Sequence, residues 1–223
     1  MKNKQETPVV ESRLRHNILH APKAIYSATG ILVYGRRIKS LIFTTDISII
    51  RNCDADAVLA LYPFTPQQII SETIIKATDV PVFCGVGGNI TDGSRIVNIA
   101  KDAEMSGAMG VAVNAFVSDE IVKNIADEID APVIVTVLDE NTDIGSKLDA
   151  GAAILNVMGG NNTPKIVHKI REKFPDVPII ACCESSDEVI ENTIEAGANA
   201  IAFVSPTSKE LFSTIMEKYR GRK

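Results

Sequence analysis

From residue 40 onward the sequence repeats one unit: a short β-rich apolar run followed by a longer segment of helical period. The runs are Leu41–Thr44, Ala57–Leu61, Val82–Cys84, Gly110–Asn114, Val133–Leu138, Ala153–Val157, Ile179–Cys182 and Ala200–Val204. Each is too short for a helix and rich in Val, Ile and Ala. Most are apolar at successive positions, as strands covered on both faces are. The segments between them open with helix-start residues and carry Ile or Val at helical spacing. Thr65-Pro66, Ser118-Asp119-Glu120, Thr163-Pro164, Ser186-Asp187-Glu188 and Ser208 are such openings.

The helix exits repeat as well. Gly107-Ala108, Gly151-Ala152 and Gly197-Ala198 follow three helices, where glycine supplies the left-handed residue that ends them. Pro81, Pro132 and Pro178 stand at strand entrances. The series Val80-Pro81-Val82-Phe83, helix, Gly107-Ala108 recurs as Val177-Pro178-Ile179-Ile180, helix, Gly197-Ala198, an echo between two four-strand halves.

Eight units of roughly 23 residues, joined by right-handed crossovers, predict a closed (β/α)8 TIM barrel over 39–223. An open doubly wound sheet is the alternative, but the first strand–helix turn, Thr44-Thr45-Asp46-Ile47, lacks the glycines that such sheets use. Residues 1–38 form an arm. Its Ala24–Tyr26 and Ile31–Tyr34, with Gly35-Arg36, read as a β-hairpin covering the bottom of the barrel, all within one domain.

Charge narrows the partners. Residues 1–39 carry +6 and residues 40–223 carry −11. An acidic body is a poor surface for duplex nucleic acid, so none is expected as a partner. No apolar run approaches a membrane span, and residues 1–7 lack the apolar core of a secretion signal, so a cytoplasmic protein is expected. Four cysteines in 223 residues read as reduced thiols rather than a disulfide framework. Cys84, Cys182 and Cys183 read as buried small side chains, with a reactive thiol at Cys183 as the other reading.

Barrel sites lie where strands run into helices. Asp46 and Asp139 end strands four apart, so they face each other across the mouth, an arrangement that can divide acid and base roles. With Glu184 they are the catalytic candidates; each aspartate alone is equally explained as a helix cap. Gly85, Gly87 and Gly88 would let backbone donors approach an anion, next to a helix starting near Thr91. Asn114, Asn156, Gly159, Ser205 and Thr207 complete the ligand-binding candidates. No lysine lies within or at the carboxyl end of a strand, which argues against Schiff-base chemistry. His16 and His20 read as surface residues and His168 as mid-helix. No metal site or cofactor is expected, although Asp46, Asp139 or Glu184 could hold Mg²⁺.

Val80–Asn89, the Gly-Ala exits and the half-chain echo resemble the ribulose-phosphate-binding barrels, especially the histidine-biosynthesis isomerase and cyclase. The resemblance implies Asp46 and Asp139 as the acid/base pair and phosphate-binding glycines after the third and seventh strands. The third-strand loop matches with Val86 interposed; the seventh departs, with Cys183-Glu184-Ser185 in place of glycines. Arg37-Ile38-Lys39-Ser40, Ile50–Ala57, Tyr62-Pro63-Phe64-Thr65-Pro66, Pro81–Gly88, Val135-Thr136-Val137, Glu140-Asn141-Thr142-Asp143 and Glu217-Lys218-Tyr219-Arg220 resemble a second family. Its members are small, uncharacterised bacterial barrel proteins commonly labelled "hydrolase". Together these readings imply an enzyme, an isomerase, lyase or hydrolase, acting on a small anionic metabolite, phosphorylated ones included. The alternative is a non-catalytic barrel that senses such a metabolite for a protein partner. A homodimer is compatible with either.

Overall fold

The computed structural model describes residues 8, 10, 12, 18–88, 91 and 93–221; His16 and Asn89 lie outside them. Two short strands, β1 (Ile31–Val33) and β2 (Arg36–Ile38), pair antiparallel. The barrel follows: β3 (Ser40–Phe43), α1 (Ile47–Ile50), β4 (Ala57–Ala60), α2 (Gln68–Ala77), β5 (Val82–Gly87), α3 (Gly93–Met105), β6 (Gly110–Val113) and α4 (Asp119–Ala126). Its second half is β7 (Val133–Val137), α5 (Ile144–Asp149), β8 (Ala152–Val157), α6 (Thr163–Lys173), β9 (Ile179–Cys183), α7 (Asp187–Glu195), β10 (Ala200–Val204) and α8 (Ser208–Gly221). Strands β3 to β10 are parallel, and β10 closes the ring on β3 with Ile201 opposite Ser40. This is a TIM barrel.

Burial on both strand faces explains the continuous apolar runs. Outward-pointing Ile42, Val58, Val111, Val135, Leu155, Ile179 and Ile201 pack against Ile74, Ile96, Val122, Ile166 and Ile190 of the helices. Inward-pointing Leu41, Leu59, Phe83, Ala112, Ile134, Ile154 and Ile180 fill the ring. Phe83 takes its place beside Gly110, where a Cβ would stand 2.9 Å from its ring. The three repeated exit glycines hold φ of 100°, 106° and 111°, the left-handed region that a side chain would strain.

The arm differs in one element from the sequence expectation. Residues Lys23–Ser27 form a 3-10 turn rather than a strand, and the hairpin turns at Tyr34-Gly35. Proline at 22 and the Ile25 side chain, buried against the barrel wall, favour a tight helical turn that a strand could not match here. Ile31, Val33 and Ile38 join the inward-pointing cluster. The Tyr34 hydroxyl donates to the Asp130 carbonyl (2.9 Å) and the Gly30 N–H to the Asn199 carbonyl (2.8 Å). Residues 130 and 199 precede β7 and β10, so the hairpin covers the amino-terminal mouth. Among the described residues, no helix is long and apolar enough to cross a membrane.

Candidate functional site

A cavity of about 580 Å³ opens at the carboxyl-terminal mouth. Its walls come from the loop after β4 (Tyr62, Phe64, Thr65, Pro66), the end of β5 (Gly85, Gly87, Gly88), Thr91, Asn114 after β6, Thr136 on β7 and Met158 after β8. The loop after β4 is fixed by the Gln67 N–H, which donates to the Tyr62 hydroxyl at 2.9 Å.

The glycine run has a specific geometry. Pairing between β5 and β6 shifts register between Gly85 and Gly87, a bulge that sends Val86 into the outer core and leaves both glycines on the cavity side. The interposed Val86 is thus the bulge residue. Gly88 has φ +125°, and a Cβ there would lie 2.6 Å from Asn114 Oδ1. Asn114 is oriented from two sides: its N–H donates to the Gly87 carbonyl (2.9 Å), and its Oδ1 accepts from the Phe116 N–H (3.0 Å). Its amide NH₂ remains the group it can offer a ligand.

Beneath the floor lies a polar pair in an otherwise apolar ring. Asn156 has no exposed surface, and its Nδ2 donates to Thr136 Oγ1 at 3.5 Å, the long limit of a hydrogen bond. Its Oδ1 has no partner, and leaving such an atom unmet costs roughly 1–3 kcal/mol. Proteins tolerate that cost more readily at sites that bind than in plain cores.

The other candidates stand elsewhere. None of Asp46, Asp139 and Glu184 lines the mouth cavity. Asp46 caps α1: its Oδ1 accepts from the Ser48 N–H (2.8 Å), the Ser48 hydroxyl (2.6 Å) and the Ile49 N–H (3.3 Å), while Oδ2 accepts from the Ser208 hydroxyl. The Ser208 and Ser48 hydroxyls hold its carboxyl below the usual carboxylate range. Asp139 is exposed, accepts from the Asn141 N–H (2.8 Å) and borders a separate 410 Å³ groove beside α5 and α6. Glu184 is exposed near α7 in a third depression with Gly160 and Asn192. Asp46 thus stands as an N-cap and Asp139 in a loop turn, and neither lines the mouth cavity.

Gly159 also lies outside the lining of the mouth cavity. A Cβ there would overlap Ile166 Cδ1, and its N–H donates to Thr163 Oγ1 (3.0 Å), so it seats α6 closely on β8. Thr207 and Glu210 form a capping box at the start of α8: the Thr207 N–H and hydroxyl donate to Glu210 Oε2 at 2.7 and 2.9 Å. A carboxylate on that helix start opposes a bound phosphate. Ser205 is half-buried after β10 and does not line the cavity.

Burial raises the Cys182 thiol to about 12 and the Cys183 thiol to about 11, far from a thiolate at neutral pH. Among the described residues, no three His, Cys, Asp or Glu side chains are grouped to hold a metal ion. Met158 was not singled out in the sequence, where Thr91 figured only as a helix start and Thr136 only within a resemblance. Thr136 had a signal: it is the lone polar residue in Val133–Val137, at an inward position of a period-2 strand.

No protein-family model matches the sequence, and no curated protein matches it. Neither resemblance drawn from the sequence gains support there. Solved structures do share the fold. The phosphoenolpyruvate phosphomutase of Streptomyces platensis subsp. rosaceus is 12% identical, with a TM-score of 0.61 over 89% of this chain and 83% of that one. A phosphonopyruvate hydrolase is 11% identical, with a TM-score of 0.61 over 91% and 85%. The dihydrodipicolinate synthase of Aquifex aeolicus is 18% identical, with a TM-score of 0.58 over 75% and 69%. The class defined by the fold is the TIM barrel, the architecture shared with this phosphomutase, hydrolase and synthase.

Proposed function

We propose that this protein is a TIM-barrel enzyme of isomerase, lyase or hydrolase type acting on a small anionic metabolite bound in the mouth cavity. The observation that carries this reading is the β5 bulge, which turns two glycines toward a cavity of small-molecule size and sets Gly88 against Asn114. Backbone N–H groups of a glycine run and a neutral amide suit a small oxyanion, carboxylate, phosphonate or phosphate, without a lysine or arginine. Such a site also suits a protein whose body is acidic. Tyr62 is the ionisable side chain among the described lining residues; its oxygen accepts from Gln67, leaving its proton for a ligand. Tyr62 is accordingly the first candidate proton donor, and Thr136 with Asn156 orients a hydroxyl or carbonyl at the floor.

The names of fold neighbours give the first compounds to test, phosphonopyruvate and phosphoenolpyruvate, with pyruvate from a further TIM-barrel neighbour; sugar phosphates are added from the sequence resemblance. Titration calorimetry should find one ligand per chain, Asn114→Ala should weaken it about tenfold, and Tyr62→Phe should retain binding but lose turnover. Binding that Asn114→Ala leaves unchanged places the ligand elsewhere and refutes the reading. A second reading, a metabolite sensor without turnover, is favoured by the neutral polar set of the described lining. Ligand binding with no product over hours at high enzyme concentration would select it.

A further inference from the structure

The lining of the mouth cavity divides in two. Its glycines end β5, Asn114 follows β6 and Thr136 lies on β7, so the polar groups occupy three neighbouring strands. On either side the lining turns apolar, with Leu61, Phe64 and Pro66 after β4 and Met158 after β8. The two kinds of lining are in close approach. A Cβ on Gly85 would stand 2.9 Å from Leu61 Cδ2, and one on Gly87 would stand 3.3 Å from Pro66 Cγ. A ligand whose oxyanion rests at the glycines therefore lies beside the loop after β4. A three-carbon acid would fill only a small part of the 580 Å³, a volume within the range of about 300–1,000 Å³ that larger organic ligands use.

The loop after β4 holds an aromatic ring in the open. Phe64 lines the cavity and is 74% exposed. The backbone on both sides of it is restrained: Pro63 precedes it with a fixed φ, Pro66 is buried, and the Tyr62 hydroxyl accepts from the Gln67 N–H. A phenyl ring kept in water on a stiff loop gains free energy when a ligand covers it, and loses little freedom in doing so. The chemistry of the covering group follows from what surrounds it. Among the described lining residues there is no Asp, Glu, Lys or Arg, so a second charge on the ligand would find no partner there. Leu61, Phe64 and Pro66 carry no hydrogen-bonding side-chain group, so sugar hydroxyls against them would lose water without replacement.

We propose that the ligand is an amphiphilic anion: a carboxylate, phosphonate or phosphate at the glycines and Asn114, joined to an uncharged aromatic body that packs on Phe64. This rests on the anion site proposed above and adds what the anion carries. Phe64 is then the specificity-determining residue, separating such compounds from three-carbon acids and from sugar phosphates.

Two matched pairs test this on the full chain by titration calorimetry: methylphosphonate against phenylphosphonate, and pyruvate against phenylpyruvate. Within each pair the phenyl member should bind about tenfold tighter, as burial of much of a ring provides. Phe64→Ala should abolish that preference, Phe64→Tyr, which keeps the ring, should retain it, and Asn114→Ala should weaken all four compounds alike. Equal binding within both pairs, still weakened by Asn114→Ala, overturns the amphiphilic ligand and leaves the anion site standing. A phenyl preference that Phe64→Ala leaves intact does the same. Binding that does not respond to Asn114→Ala, or no binding by any of the four, overturns the anion site and this inference with it.

Discussion

Asp46 is where a catalytic and a structural role can be separated by one atom. Asparagine at this position keeps an oxygen that accepts from the Ser48 and Ile49 N–H groups and caps a helix about as well as aspartate, but it neither gives nor takes a proton. Asp46→Asn keeps the cap but not the acceptor for Ser208, so it is expected to lose about 1 kcal/mol and to keep ligand affinity at the mouth. Asp46→Ala removes the cap, at about 1 kcal/mol, and the acceptor for Ser208, at about another 1 kcal/mol because both groups can recover water. A loss of about 2 kcal/mol in a domain of this size lowers Tm by roughly 4–8 °C. Urea titration and calorimetry give the stabilities, and titration calorimetry with a mouth ligand gives the affinities. An asparagine variant of the expected stability that loses tenfold or more in affinity or turnover would put Asp46 back in the chemistry. An alanine variant as stable as wild type would refute the cap and tether.

Acid should weaken the fold for a related reason. The Ser208 and Ser48 hydroxyls lower the Asp46 carboxyl, Lys147 lowers Asp119, and the Thr207 N–H and hydroxyl lower Glu210. Groups lowered in the folded state contribute stability above their unfolded values near 4, and that stability goes as pH falls through the folded values. Tm should be level from pH 7 to 5 and fall below pH 4; a flat profile down to pH 2.5 would contradict this. Thiol labelling at pH 7.5 should find Cys84, Cys182 and Cys183 protected and half-buried Cys53 slow, with all four reacting in denaturant. Rapid native labelling of Cys183 would contradict its burial. Gly88→Ala should cost about 1–3 kcal/mol and abolish ligand binding, because the new Cβ meets Asn114 Oδ1 and the backbone sits at φ +125°. A neutral substitution there, read by urea titration, would show that the loop relaxes freely.

Periodicity carried most of the fold. Two-faced apolar runs can exist only in a covered sheet, and eight of them separated by amphipathic segments leave little but a ring. The strand limits differ by a residue or so, except at β5, which runs on to Gly87 through the bulge. A bulge depends on the partner strand's register, which no local pattern records. The candidate site was half legible for a similar reason. Gly85, Gly87, Gly88 and Asn114 stood out in the sequence, because glycine runs at strand ends are unusual enough to notice, and they line the cavity. The carboxylates lie outside the cavity: an aspartate after a strand can serve as a cap as well as in chemistry, and its hydrogen-bond partners are not written in the sequence. Arg171 shows the limit from the other side. It sits near the end of a helix, yet its guanidinium donates to the nearby Pro175 and Val177 carbonyls and to the Gly197 carbonyl and Asn199 Oδ1, joining the turn after its own helix to the one before β10.

The plug at the amino-terminal end of the ring also imposes an order of events. Thr29 Oγ1 accepts from Asn199 Nδ2 across 170 positions, and the Gly30 N–H reaches the Asn199 carbonyl, so the hairpin's moorings exist only once the last strand has arrived. The hairpin, although it precedes every strand of the ring in sequence, is thus among the last pieces to settle, and it lies beneath a ring whose closing seam joins the two most widely separated staves. The mouth cavity lies at the opposite end, so the covered end can serve stability while the other is left for chemistry.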